Sequence, residues 1–218
     1  MKFSFATLVT LGALVFPGTV AQLTANQIVA AINLVTNISQ NSNDVLTPLS
    51  TSTAGDQVQV TSQTLVNNIN MIISNIAADV TAIEATLPFP PEVPGGAIVA
   101  ALDNFVAVHQ AFLATVTGKH SIFAQFQVTA PIAAILRSLE ATIDSLGSAL
   151  INVILDEVDA ISANQAKLDV AVGNTLTTYE ETCVPSPLYP IVLPVCSGGY
   201  SYIPTYWLAE IFHLFLRF

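Results

Sequence analysis

Apolar residues recur along most of this chain at spacings of three and four, the period of a helix face rather than the alternation of a strand. Thr24 reads as an N-cap; Ile28, Ile32, Val35 and Ile38 follow it, while Asn33, Thr36, Asn37 and Gln40 fill the other side. Pro48 and the Ser/Thr-rich run to Gly55 end this first helix. The second, about Asp56 to Leu87, carries the stripe Leu65, Ile69, Ile72, Ile76, Val80, Ile83 and Leu87. Pro88 stops it, and Phe89 to Gly96 reads as a loop. The third, roughly Ala97 to Val116, has Ile98, Leu102, Phe105, Val106, His109, Phe112 and Val116 on one broad face, with Gly118 marking its end. Residues 119–128 read as a short helix or a structured connection. Thr129-Ala130-Pro131 then resembles a cap with an early-turn proline, opening a fourth helix to about Ile154. The fifth, about Asp156 to Thr182, has acidic residues at its start, where the helix dipole favours them. Five helices on short connections predict an all-α, up-and-down bundle over residues 22–182, with an irregular C-terminal tail over 183–218.

Composition changes this picture in one respect. The chain is 52% hydrophobic and only 9% charged, where an ordinary globular domain carries about 25% charged residues. The polar remainder is mostly Ser, Thr, Asn and Gln, so solubility rests on hydroxyls and amides, and on any glycans. Asn37-Ile38-Ser39 is a sequon for a glycan on Asn37. A formal net charge of −10 argues against nucleic acid or anionic membrane as partner. At the N-terminus, Lys2, the apolar run Phe3 to Phe16, and Thr19-Val20-Ala21 fit a secretory signal peptide cleaved after Ala21. A secreted or cell-wall location is the expectation. In an oxidising compartment Cys183 and Cys196 are expected to form a disulfide closing a Pro-rich loop. The aromatic tail, ending in Trp207 to Phe218, admits several readings: a glycolipid-anchor signal at Ser197-Gly198-Gly199, a membrane-surface helix, a helix packed on the bundle, or a misread exon.

Residues that would carry catalysis do not assemble into a pattern. His109 lies on an apolar helix face, His120 beside Lys119 in a turn, and His213 in the tail. No nucleophile elbow, zinc-helix or phosphate-loop motif occurs. The carboxylate clusters Asp156, Glu157, Asp159 and Glu180, Glu181 suit helix ends, and neither has the alternating oxygens and central Gly of a calcium loop. No metal and no cofactor is expected. What remains is excess apolar surface: Phe105, Phe112, Phe123, Phe126 and Leu136 around the junction of the third and fourth helices are either core or the lining of an apolar ligand site.

The order of features resembles the fungal hydrophobic surface binding protein A family, which includes the cell-wall galactomannoproteins. The resemblance rests on Leu23-Thr24 after the leader and on Val108-His109-Gln110-Ala111-Phe112-Leu113. It continues through the Thr117-Gly118-Lys119 turn, Ala130-Pro131-Ile132-Ala133-Ala134-Ile135-Leu136, and the segment from Leu139-Glu140 to Leu150-Ile151. It implies a helical bundle, secretion or wall residence, and binding of hydrophobic surfaces or fatty acids, with secreted degradative enzymes as further partners. The expected function is therefore non-catalytic apolar binding. A structural wall mannoprotein is the alternative, and an inhibitor bundle or an unrecognised esterase rank below it.

Overall fold

The computed structural model describes residues 22–90, 93 and 95–197. The expected leader, Pro91, Glu92 and Pro94 of the loop, and the tail from Gly198 on, with Trp207 and His213, lie outside these residues. The described elements are α1 (Ala25–Leu46), α2 (Gly55–Glu84), α3 (Gly96–Gly118), α4 (His120–Gln125), α5 (Thr129–Val153) and α6 (Val158–Tyr179), then β1 (Thr182–Val184) and β2 (Val195–Ser197). The all-α bundle read from the periodicity is the fold observed.

Local chemistry explains the helices and their ends. Thr24 and Gln27 form a capping box: the Thr24 hydroxyl accepts from the Gln27 amide at 3.3 Å, and Gln27 Oε1 accepts from the Thr24 amide at 2.8 Å. Along the helices, hydroxyls donate back to the carbonyl one turn earlier, as Thr36 does to Ile32, Ser39 to Val35 and Ser42 to Ile38. A chain with few charges can in this way bury Thr36, Ser39 and Ser42 without stranding a donor.

The five long helices close a ring. Each packs chiefly against two others, in the order α1, α2, α5, α6, α3 and back to α1. Hydrogen bonds give the directions. Asp103 with Asn164 and Thr117 with Thr175 run α3 and α6 the same way. Gln165 with Asp144 and Arg137 with Glu180 run α5 against α6. Short α4 sits at one end, touching α2, α3, α5 and β1. The ring interior is filled by Ile28, Ile32, Leu65, Ile69, Ile72, Phe105, Phe112, Leu136, Leu139 and Leu168, all buried. Its hydrophobic third helix, α3, has a window of mean hydropathy 1.5, long and apolar enough to cross a membrane by length and composition. In the ring, α1 and α6 flank it and bury both its edges.

Several boundaries differ from the periodic reading. Between α3 and α5 the short helix that the sequence allowed is present as α4, so the described residues hold six helices, five of them long. α2 ends at Glu84, and Leu87 is 69% exposed rather than part of the buried stripe. There Thr86 takes over: its hydroxyl accepts the Leu23 amide at 3.0 Å and ties the start of α1 to the end of α2. Thr129 is the first residue of α5 and makes no side-chain cap. Pro131 falls in the first turn, where a missing N–H costs nothing. α6 stops at Tyr179, and the chain then enters a two-stranded antiparallel ribbon in which Cys183 faces Cys196. Those two residues form a disulfide with a Cα–Cα separation of 4.0 Å.

Candidate ligand site

Ring geometry places one polar pair in the interior. His109 lies at the middle of α3 with no exposed surface, its ring 5.1 Å from that of Phe105 and 5.5 Å from that of Phe112. These are the residues four before and three after it on the same helix face. From α1, Ser39 Oγ comes within 2.9 Å of His109 Nδ1 while donating to the Val35 carbonyl at 3.0 Å. Nε2 has no hydrogen-bond partner among the described residues. Burial lowers the His109 pKa from 6.5 to about 4, so the ring is neutral at physiological pH.

A serine and a histidine at hydrogen-bond distance are two members of an acyl-transfer triad. In a triad the histidine takes the serine proton, and a carboxylate orients its other nitrogen. Here Ser39 Oγ also stands 3.0 Å from the Val35 carbonyl, Nε2 meets no carboxylate among the described residues, and neither residue has exposed surface. The pair is built to hold a ring in place.

The other expected lining residues scatter. Leu136 on α5 is fully buried in the same core. Phe123 on α4 is buried at the end of the ring, 6.4 Å from the Tyr179 ring. Phe126 is half-buried there; it packs over Gly55, where a Cβ would stand 2.6 Å from its ring, and edge-on to Tyr189 at 5.9 Å. The five residues do not converge on one cavity. His120 is also placed differently from the turn expected of it. It opens α4, is buried, and stands edge-on to Tyr179 with Nε2 3.7 Å from Cys183 Sγ. Burial lowers its pKa, and nearby Glu181 opposes that. His120, Glu181, Cys183 and Cys196 bring ligand atoms within 4.8 Å of one another. The two sulfurs are spent on the disulfide, however, which leaves two ligands where a metal needs more.

Concave surface lies elsewhere. A groove of about 730 Å³ runs between α1 and α2, with Ile38, Val45 and Met71 as its apolar lining and Asn41, Asp44, Thr64 and Asn68 around them. Asn37, exposed one turn before Asn41, would set a glycan beside it. A more polar hollow of about 560 Å³ is bounded by Arg137 and Glu180, and one of about 310 Å³ by Leu23 and Phe89. A void of about 10 Å³ is lined by Leu102, Gly147, Ile161 and Gln165 among others. The periodic pattern could not reveal Ser39 as partner of His109. It places His109 on an apolar face but reads Ile38, not Ser39, as the inward position of the first helix, and two residues 70 apart meet only once the ring sets the register.

No family model matches the sequence, and no curated protein matches it. Solved structures do match it by shape. Ligand binding domain 1 of Penicillium marneffei MP1 protein, complexed with arachidonic acids, superposes with a TM-score of 0.62 at 8% identity, covering 72% of this chain and 97% of that one. AFMP4P in complex with palmitic acid gives 0.58 at 15% identity, covering 72% and 99%. Ligand binding domain 2 of the MP1 protein, complexed with multiple arachidonic acids, gives 0.59 at 12% identity, covering 71% and 92%. At such identities the likeness is one of fold, and this chain has the helical fold of these ligand-binding domains.

Proposed function

We propose that this chain is a non-catalytic binding protein for fatty acids or similar single-chain lipids, taken up among the helices of the ring. The observation that carries this reading is the fold itself: five helices around an apolar interior, the fold of domains bound to palmitic and arachidonic acids. Chemistry agrees with it. A sixteen-carbon chain offers on the order of 11 kcal/mol from its methylenes at ~0.8 kcal/mol each. Micromolar affinity needs about 8 kcal/mol, so roughly 3 kcal/mol remains to part a closed core and immobilise the chain. The margin is small, so binding depends on how readily the helices separate.

Displacement of a fluorescent fatty acid from delipidated protein by palmitic acid tests the reading. Saturable displacement at one or a few sites per chain supports it; the absence of any saturable binding ends it.

The proposal extends to secretion into the medium or cell wall, on the Lys2 to Ala21 leader pattern, and to adsorption on hydrophobic surfaces beside secreted degradative enzymes, on the family resemblance. A wall mannoprotein whose bundle only carries glycans is the second reading, favoured by the exposed Asn37 sequon. Mass spectrometry of the secreted protein separates them, since it reads the N-terminus, the glycans and any retained lipid together.

A further inference from the structure

We propose that His109 is the polar anchor of the lipid site: Nε2, held in place through Ser39, accepts a hydrogen bond from the head group of a single-chain lipid that carries a donor, a hydroxyl or a protonated carboxyl. This rests on the lipid-binding reading above and narrows it to a ligand class.

Ser39 Oγ lies 3.0 Å from the Val35 carbonyl and 2.9 Å from His109 Nδ1. Assigning the single hydroxyl hydrogen to the Val35 carbonyl, which can only accept, leaves Ser39 to accept from the ring. Nδ1 therefore carries the proton. A neutral imidazole has one N–H, so Nε2 is a bare acceptor. Phe105 and Phe112 flank the ring, and Nε2 bonds to no described protein atom. An unmet acceptor in apolar surroundings carries a desolvation cost that a donor entering the ring removes. An apolar chain with one donor at its end satisfies both the interior and the nitrogen. Esters and hydrocarbons satisfy only the interior.

Proton balance follows. A fatty acid that is ionised in water must enter as the acid, taking one proton with it, whereas a fatty alcohol enters unchanged. The charged side chains on the helices packed against α3 are Asp44 on α1 and Asp159, Lys167 and Asp169 on α6; α3 itself adds Asp103 and α4 only His120. None of them bonds to His109. The imidazole stays neutral above its lowered pKa of about 4, so it adds no pH dependence of its own between pH 6 and 8.

The experiment uses the delipidated full chain with hexadecanol, palmitic acid and methyl palmitate, together with ¹⁵N NMR of the histidine ring. Hexadecanol is expected to bind about tenfold or more tightly than methyl palmitate, the worth of one buried hydrogen bond. Palmitic acid should weaken about tenfold per pH unit above its own pKa while hexadecanol stays flat. The ¹⁵N resonance of His109 Nε2 should move on saturation with hexadecanol. In His109→Phe the preference for the alcohol over the ester should vanish. Equal binding of alcohol and ester by the native chain, or an Nε2 resonance unmoved at saturation, overturns the anchor and leaves lipid binding standing; the second result would mean that water fills the role. Failure of all three lipids to bind overturns the lipid reading itself, and the anchor with it. The lipid series and the NMR need no variant, so a misfolded His109→Phe does not block the test.

Discussion

A neutral imidazole sealed in an apolar core makes stability depend on pH. Unfolded, His109 titrates near 6.5; folded, near 4. Between these values the unfolded chain binds a proton that the folded chain refuses, so stability is complete above pH 6.5 and falls as pH drops toward 4. The shift corresponds to a loss on the order of 3 kcal/mol. Replacing His109 with Phe should remove this loss, so that thermal melts of native and variant chains diverge between pH 7 and 4.5 in favour of the variant. Carboxylates titrating in the same range are shared by both proteins and cancel in the difference. Tyr179 gives a second test at this scale. Its buried hydroxyl donates to the Val116 carbonyl at 2.8 Å, joining the end of α6 to α3. Tyr179→Phe should cost about 1 kcal/mol in denaturant unfolding, a modest loss because Val116 O also accepts from the Lys119 amide. The inward position of both residues was legible from helical spacing. Their partners were not, because periodicity assigns a face and says nothing about which residue on the facing helix stands opposite.

At the scale of elements, one of the few cations is spent on a helix end. Lys119 Nζ donates to the carbonyls of Thr47 at 3.0 Å and Leu49 at 2.6 Å, just past the end of α1, where unpaired carbonyls and the negative end of the dipole gather. Lys119→Met keeps much of the stem but loses both bonds. Chemical denaturation should show a loss of roughly 1–2 kcal/mol. Local sequence places Lys119 in a turn, and nothing in it connects the residue with α1. By contrast the exposed Arg137–Glu180 pair, at 2.7 Å, joins side chains largely in water. Arg137→Ala should change stability by less than about 1 kcal/mol. Helix ends were the least legible feature. Leu87 continues the apolar stripe of α2 but falls beyond Glu84, where Thr86 is engaged by Leu23 just ahead of α1 and the backbone has already turned.

Over the whole molecule, the ring and the ribbon separate what holds the fold from what decorates it. Cys183 and Cys196 close a loop of 13 residues outside the bundle. A loop of that size contributes about 3 kcal/mol at most through chain entropy. The double change Cys183→Ser, Cys196→Ser should therefore lower the melting temperature yet leave the helical circular-dichroism spectrum intact, since the core packs among the helices alone. Loss of the helical spectrum would show that the ribbon is integral to the fold. The amino-acid order by itself determined that the chain is helical, where its buried stripes run and that it lacks a recognisable catalytic motif, because these follow from local periodicity and residue type. The tertiary structure decided the ring order α1, α2, α5, α6, α3, the pairing of Ser39 with His109, the placing of Phe123 and Phe126 at the end of the ring, and the ribbon that closes the Pro-rich loop. The physical reason is that an apolar stripe is complementary to any other apolar stripe. Which helices pair is settled only when all of them compete for the same interior.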